Sequence, residues 1–522
     1  MHSTENGFQR IVYSRFLKVL NSIVFFFFTF PIVLKMIQFC CFKATFIAWL
    51  ETIVMTLLAI TVILAVFVPA LTIYLKFHFK KKRERSRGSP ASVAFFHPYC
   101  NAISGRERLL WSAVSVIHKH FPACKIVIFT GDIGSSPSSL IDRAKSHYNV
   151  QLPENIEFLY LSKRRLIENK TYPYLSDLCL GFGSLILGLE AISLHLPDVL
   201  IDTMGWSFVW PLFSFIGGCK VAAYIHSPTI MPKTIFHFPK FVANSRPRTY
   251  ARSPLLAGGD ILYRKIVSWL YAVTSRTADI IMVNSTWSEN LVHNAWDCPM
   301  KTFRVYPPCD IKDLETIPLE KSSKSIKIIS VGQFRPEKDH PMQLKVMYQL
   351  RQNLSEEKWN GVKLVIIGST QTLDDSTHFK DMQDLCKHLS LENNVEFKVD
   401  LTYNDLKDEL TDGVIGLHTM PDEHFGVALV EMMAAGLIVV AHETGGPKSD
   451  IIETKPRNGF LALSEMEYAD KITSIINSSN KELIRNIQHN ARASVERFSV
   501  SAFNCEFLRI VQILFPTNNI NS

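Results

Sequence analysis

From Pro90 onward, short apolar runs rich in β-branched residues alternate with polar loops and helical stretches. SVAFFH (Ser92–His97) ends in the polar loop PYCNAISGRER and is followed by the helical stretch LLWSAVSVIHKHF; CKIVIFTG repeats the pattern at residues 124–131. DVLIDTMG near 198–205, KVAAYIHSP at 220–228, DIIMVNS at 279–285 and FRVYPP at 303–308 continue it. Runs of this kind, bounded by turn residues and joined by helices, predict buried parallel strands. The polar segment LEKSSKSIK, Leu319–Lys327, interrupts the pattern and reads as an interdomain linker. Beyond it the alternation restarts with IKIISVGQFRPEKDH, VKLVIIGST, NVEFKVD, GVIGLHTM and LIVVAHETGG. The expected fold class is α/β, with two facing Rossmann-like doubly wound domains at 89–320 and 321–492 and a C-terminal helix and tail at 493–522. Such a pair places its ligand cleft between the carboxyl ends of both sheets.

Residues 1–88 follow a different pattern. Thr52–Leu75 is 24 residues without a charge, about 36 Å as a helix, longer than a hydrocarbon core of about 30 Å. It reads as the main membrane span of an N-terminal membrane region. Lys76 and then Lys80, Lys81, Lys82, Arg83, Arg85 and Arg87 follow it, which places the rest of the chain on the cytosolic side. Upstream, Ser22–Leu34 is only 13 uncharged residues and contains Pro31, so re-entrant, interfacial and spanning arrangements of residues 22–50 all stay open. No small-residue cleavage site follows it, which argues against a removed signal peptide.

Composition adds little. The 47% hydrophobic content and mean hydropathy of +0.10 fit a chain with a lipid-facing part. The net charge of +8 owes much to the run after the span, and no basic stripe with interleaved aromatics exists, so a nucleic-acid partner is not expected. Ten cysteines are scattered without a C-x-x-C pair, which suits a reducing compartment and no structural metal. Cys40 and Cys41 border apolar segments, a position open to acylation.

The chemistry concentrates in EHFGVALVE, which sets Glu423 and Glu431 eight positions apart. The pattern predicts a strand over Gly413–Met420, the loop PDEHFG, and a helix from VALVEMMAA ended by Gly436. The helix start at Phe425, Gly426 and Val427 offers free backbone N–H groups to a phosphate, and Gly426 lets a ligand approach closely. Acceptor-only carboxylates beside such a seat suit hydroxyl-rich groups such as a ribose and a sugar. The alternative is a helix-start acid and a solvated helix face.

EHFGVALVEMMAAGLIVVAHETGGPKSDII (Glu423–Ile452) resembles the retaining GT-B glycosyltransferases of family 4, whose paired glutamates have this spacing, and GQFRPEKDH (Gly332–His340) resembles their phosphate loop. FFHPYCNAISGRERLLW, YIHSPTI, MVNSTWS, GLHTM and HETGGPKSDI are similar to the endoplasmic-reticulum GDP-mannose-dependent α-1,2-mannosyltransferases that extend a lipid-linked oligosaccharide for N-glycosylation. The resemblance implies that Glu423 holds donor mannose hydroxyls and faces the reacting sugar, that Glu431 binds the ribose of GDP, and that Lys338 binds phosphate. His226 matches a histidine beside the transferred sugar, its alternative being a structural loop histidine. The family arginine after the loop glycine is Gln333 here, with Arg335 the nearest substitute. A glycine run of the family is reduced here to Gly105 within residues 102–106, a possible phosphate or acceptor loop, and Gly445-Gly446-Pro447 is either a ligand-contacting loop or a tight turn.

The implied partners are GDP-mannose as donor substrate, a dolichyl-diphosphate oligosaccharide acceptor, the endoplasmic-reticulum membrane with the catalytic domains cytosolic, and other mannosyltransferases of the pathway. No cofactor is expected and no metal, since two cations and a helix dipole meet the leaving diphosphate. The rival readings are a family 4 transferase of other donor specificity and an inactive membrane scaffold for a partner transferase.

Overall fold

The computed structural model describes residues 44–85 and, from 90 to 515, all but 103, 149, 151, 154, 173, 228–253, 321–324 and 371. Ser22–Leu34, Cys40, Cys41, Arg87, the centre of the Leu319–Lys327 linker and the end of the C-terminal tail lie outside the described residues. The chain divides into two compact units, Met1–Leu75 and Lys76–Ser522.

Helix α1, Ala44–Arg85, carries the expected span and has Pro69 in its interior. Within the first unit, the apolar side chains of Met55, Leu58, Val62, Ile63, Val66, Phe67, Val68, Ile73 and Tyr74 are exposed. Large apolar groups directed outward over this length are what a lipid-facing helix presents and a soluble surface helix avoids.

The second unit holds two parallel sheets. The first has strand order β3-β2-β1-β4-β5-β6-β7 and the second β10-β9-β8-β11-β12-β13. Strands β1 (Ser92–Phe96), β2 (Lys125–Thr130), β4 (Val199–Asp202), β5 (Lys220–Ile225), β6 (Ile280–Val283) and β7 (Thr302–Arg304) coincide with the apolar runs of the first half. So do β8 (Ile326–Val331), β9 (Val362–Gly368), β10 (Val395–Val399), β11 (Gly413–His418) and β12 (Ile438–His442) of the second. Every residue of β1 and β4 is buried, because helices cover both faces. Strands β3 (Glu157–Tyr160) and β13 (Phe460–Ala462) were not foreseen; both are edge strands of four residues or fewer.

The loop after β1 is shorter than PYCNAISGRER suggests. Helix α2 starts at Gly105 and runs to His120, so Arg106, Glu107 and Arg108 form its first turn. Ser104 caps it, accepting from the Arg106 N–H at 3.2 Å and donating to the Glu107 Oε2 at 2.5 Å, the S-x-x-E signature of a capped helix start. Helix α3, Ser176–Leu194, is long and apolar enough to cross a membrane, yet its Leu180, Leu187, Ala191 and Ile192 are buried in the first domain.

The C-terminal segment joins the two domains. Ala491, Val495 and Phe498 belong to the second domain's core, whereas helix Val500–Val511 returns to the first and buries Phe503, Phe507, Ile510 and Val511 beside Leu109 and Trp111. Phe515 stacks on Phe121 with ring centroids 4.1 Å apart. Phe507→Ala, at a side chain with no exposed surface, should therefore destabilise the first domain by about 3 to 5 kcal/mol in chemical denaturation. An unchanged midpoint would mean that the C-terminal helix is not part of that core.

Candidate active site

On the second domain, the turn after β8 leads through Phe334, fully buried, to a short helical turn at Pro336–Lys338 and to Asp339, which caps the following helix. Thr419, just beyond β11, fixes this turn from below: its hydroxyl lies 3.0 Å from the carbonyls of both Lys338 and Asp339, and Gln343 Nε2 donates to it at 3.1 Å. The Lys338 ammonium is thereby brought to Glu423, donating to Oε2 at 2.7 Å, and His418 Nε2 stands 3.4 Å from the same oxygen. Burial pushes the Glu423 carboxyl up, but the bond from His418 and the charge of Lys338 outweigh it and hold the group well below the usual carboxylate range. Glu423 is an ionised, paired side chain, not a solvated helix-start acid.

Glycines 445 and 446 form a close floor beneath the loop that carries Glu423. Gly446 N–H donates to the Glu423 carbonyl at 2.7 Å, and a Cβ added at Gly446 would stand 2.7 Å from the Phe425 Cα. At Gly445 the backbone φ of +69° adds a second requirement for glycine. Gly426, at φ +112°, precedes the helix Val427–Ala434 and makes no side-chain cap, so the first N–H groups of that helix are left to other acceptors. Phe425 itself is buried, its ring 5.2 Å from Phe498 and 5.8 Å from Tyr306, so only its backbone is available to a ligand. Glu431 lies one turn further along, half-buried; burial raises its pKa, Arg108 opposes and Asp310 adds to the rise. Arg335 faces Asp375 at 3.5 Å, and its contact with the Lys338–Glu423 pair is not direct.

The first domain supplies a second polar layer. His97, after β1, is fully buried with Nδ1 2.7 Å from the Thr203 hydroxyl and Nε2 3.3 Å from Glu107. His226 follows β5; its carbonyl accepts from Asn284 Nδ2 at 2.9 Å, while its Nε2 is buried with no hydrogen-bond partner among the described residues. Burial first, then the charge of Arg106, pushes the His226 pKa down to about 3. Its imidazole is neutral at physiological pH. Gly105 has open space where a Cβ would stand, so steric need does not explain glycine there.

Contacts between the domains run along the carboxyl ends of the strands. The Ser285 hydroxyl, after β6, donates to the His424 carbonyl at 2.5 Å. Asp450, after β12, takes the Thr286 hydroxyl at 2.6 Å, the Thr286 N–H at 3.0 Å and the Tyr306 hydroxyl at 2.9 Å. Its carboxylate therefore sits at the N-terminus of the first-domain helix Thr286–Trp296. Cys309, Ile311, Leu314 and Ile317, expected in the first domain, pack in the second domain's core, so Arg108 of α2 reaches across to Asp310 at 3.4 Å.

Two parallel doubly wound sheets meeting at their carboxyl edges, with an acid, a lysine and an uncapped helix start on one side and histidines on the other, define a GT-B glycosyltransferase. Sucrose-phosphate synthase of Thermosynechococcus elongatus has this fold, with a TM-score of 0.58 at 14% identity over 81% of this chain and 99% of that one. So does Anabaena Alr3699/HepE in complex with UDP, with a TM-score of 0.57 at 17% identity over 81% of this chain and all of that one. A family model described as ALG11 mannosyltransferase N-terminus matches residues 90–296, and one described as Glycosyl transferases group 1 matches residues 312–494. The human GDP-Man:Man(3)GlcNAc(2)-PP-Dol alpha-1,2-mannosyltransferase is 39% identical over 428 residues, 81% of this chain and 87% of the relative. Its mouse counterpart is 38% identical over 448 residues, 83% and 90% of the two chains. The chain belongs to the family of these alpha-1,2-mannosyltransferases.

His97, Glu107, Arg108, Thr419, His418 and Asp450 were not singled out from sequence. All six lie in stretches quoted for the family resemblance, at or near the carboxyl ends of predicted strands, where parallel sheets collect functional groups, but no single one stood out there.

Two expectations follow. Asp450→Ala strands three donors and should cost about 1 to 3 kcal/mol in urea denaturation, with coupling to Tyr306→Phe in a double-mutant cycle. His340, fully buried beside Phe334, has its pKa pushed down to about 3 by burial, as does His226. In the unfolded chain a histidine protonates near pH 6.5, so between roughly 3 and 6.5 the unfolded state binds more protons and stability falls as pH is lowered. His340→Leu should reduce that slope by up to about 1.4 kcal/mol per pH unit in denaturant titrations; an unaltered slope would show that His340 charges without unfolding.

Proposed function

We propose that this chain transfers mannose from GDP-mannose to a dolichyl-diphosphate oligosaccharide in α-1,2 linkage with retention, anchored in the endoplasmic-reticulum membrane with the catalytic domains in the cytosol. The observation that carries the reading is the Lys338–Glu423 pair at 2.7 Å beside the start of helix Val427–Ala434, in a chain of this family. The helical stretch 52–75 with outward apolar side chains and the basic residues after it support the anchoring.

In this mechanism the diphosphate of the donor is the leaving group. Lys338 and the free N–H groups at Gly426 and Val427 meet the charge that develops on it, and Arg335 adds to the field from beside Asp375. Glu423, kept ionised, holds sugar hydroxyls and stabilises the oxocarbenium character that grows as the bond breaks. His226, kept neutral, faces the sugar with an unpaired ring nitrogen. Glu431 accepts from the ribose hydroxyls. The acceptor hydroxyl attacks from the face the diphosphate leaves, and its proton passes to the departing phosphate. This charge arrangement needs no metal or organic cofactor. Partnership with other mannosyltransferases of the pathway belongs to the same proposal and rests on the family alone.

Incubation of the purified full chain with radiolabelled GDP-mannose and a lipid-diphosphate trimannosyl chitobiose, followed by linkage analysis, tests the activity; α-1,2-linked product is expected, and transfer from UDP-glucose instead would overturn the donor. The two acids are separated by kinetics. Bonds to ribose are equal in ground and transition states, so Glu431→Gln should mainly raise KM for GDP-mannose and weaken GDP, while Glu423→Gln should mainly lower kcat at near-normal GDP affinity. Equal losses of GDP affinity would mean that both acids serve the nucleotide.

A further inference from the structure

Arg106 is the charged residue of the shortened glycine run 102–106. It lies in the first turn of α2, at the carboxyl end of β1, which runs between β2 and β4 in the first sheet. Ser104 accepts from its backbone N–H at 3.2 Å, which fixes that turn, and the neighbouring Glu107 is directed inward to His97 at 3.3 Å. The Arg106 side chain is exposed and makes no ion pair or side-chain hydrogen bond among the described residues. Acids of the surrounding loops are already taken: Glu107 by Ser104 and His97, Glu423 by Lys338 and His418, and Asp132 by Arg164.

Two imidazoles mark the space beside it. Asn284 Nδ2 donates to the His226 carbonyl at 2.9 Å, and the hydroxyl of the next residue, Ser285, donates to the His424 carbonyl at 2.5 Å. Adjacent residues after β6 therefore hold His226 of the first domain and His424 of the second near each other across the cleft. Each ring has a buried Nε2 with no hydrogen-bond partner among the described residues. The charge of Arg106 reaches both rings: burial first and then Arg106 lower the His226 pKa, and burial first lowers that of His424, with Lys338 and Arg106 adding to the fall against Glu423 and Asp422. Buried polar atoms are satisfied in folded proteins, and two that face one cleft without a protein partner point to a polar ligand between them. Arg106 places a fixed positive charge at that point.

The second domain is short of cations for a diphosphate. Lys338 is paired with Glu423 at 2.7 Å, Arg335 is turned to Asp375 at 3.5 Å, and Gln333 is uncharged. When the bond between mannose and the β-phosphate breaks, its electron pair passes to the β-phosphate oxygen, so the charge to be met grows on that phosphate, next to the sugar. We propose that Arg106 binds the β-phosphate of the donor from the first domain, opposite Lys338 and the start of helix Val427–Ala434. The inference rests on the donor reading above. A guanidinium keeps its charge at every working pH, and its forked donors match two oxygens of one phosphate. The acceptor's own diphosphate is the other source of this chemistry, but its oligosaccharide separates it from the attacking hydroxyl and so from His226.

The test titrates the full chain and its Arg106→Gln and Arg106→Lys variants with GDP and GMP by calorimetry and follows transfer from GDP-mannose. Arg106→Gln should weaken GDP and lower kcat, each by about ten- to a hundredfold, the loss of one charge-assisted bond. GMP, which lacks the β-phosphate, should bind all three proteins alike, and Arg106→Lys, which keeps the charge without the fork, should recover part of the GDP affinity. Thermal melting should not change, because the side chain is exposed. Unaltered GDP affinity and kcat in Arg106→Gln overturn the inference and leave the transferase reading standing. Equal losses for GDP and GMP overturn it as well, and so does a rise confined to the acceptor KM, which would assign Arg106 to the acceptor's diphosphate. If the unsubstituted chain binds UDP and not GDP, the donor reading falls; the cation then stands if Arg106→Gln weakens UDP but not UMP, and falls with it if UDP binds both proteins alike.

Discussion

The Asp450 carboxylate at the start of helix Thr286–Trp296 is the contact on which the geometry of the cleft depends. A GT-B site exists only while two separately folded sheets keep their carboxyl edges in register, and hydrophobic packing within each sheet does nothing to impose that. One acid from the second domain, receiving the Thr286 hydroxyl and N–H and the Tyr306 hydroxyl, supplies a directional bond at the helix terminus where its charge is most favoured. The Ser285 bond to the His424 carbonyl lies alongside, and the C-terminal helix closes the other end by burying Phe503 and Phe507 in the first domain. The domains are joined at several points, and the Asp450 and Ser285 contacts adjoin the loop that carries Glu423.

Within that frame the electrostatics divide by burial and pairing. Glu423 and Glu431 are both withdrawn from solvent, but Lys338 and His418 keep the first ionised, whereas the second, with Arg108 opposed by Asp310, is moved toward its neutral form. Two glutamates eight residues apart in one motif are therefore shifted in opposite directions. The same logic keeps His226 neutral next to Arg106 and His97. Neutral imidazole on one side and a fixed carboxylate on the other suit a reaction whose charge grows on the departing diphosphate.

The apolar surplus of the chain is spent outside the two cores. The described apolar side chains of α1 between Met55 and Tyr74 face outward, whereas α3, itself long and apolar enough for a membrane, is used as a packing element.

Much of this was legible in the chain. Eleven of the thirteen strands coincide with apolar runs, because strands of parallel sheets covered by helices read as nearly continuous apolar stretches. The paired glutamates and the helix start at Gly426 were equally visible, since spacing along one loop and one helix is a local property; Lys338 was implied by the family resemblance of its loop. Edge strands β3 and β13 were not, since the short segments EFLY and FLA were not picked out as apolar runs of their own. The floor that Gly445 and Gly446 provide, the partner of Arg335, the His97–Glu107 layer and the Asp450 latch were decided only by the tertiary structure. Each joins residues tens to hundreds of positions apart, or depends on which of several nearby charges a side chain reaches, and composition and period hold no record of that distance. What the sequence determined by itself was the kind of element at each place and the chemistry available there; which groups meet, and so in which direction each acid is shifted, was settled by packing, because burial and the nearest countercharge set a pKa and neither is a property of the residue alone.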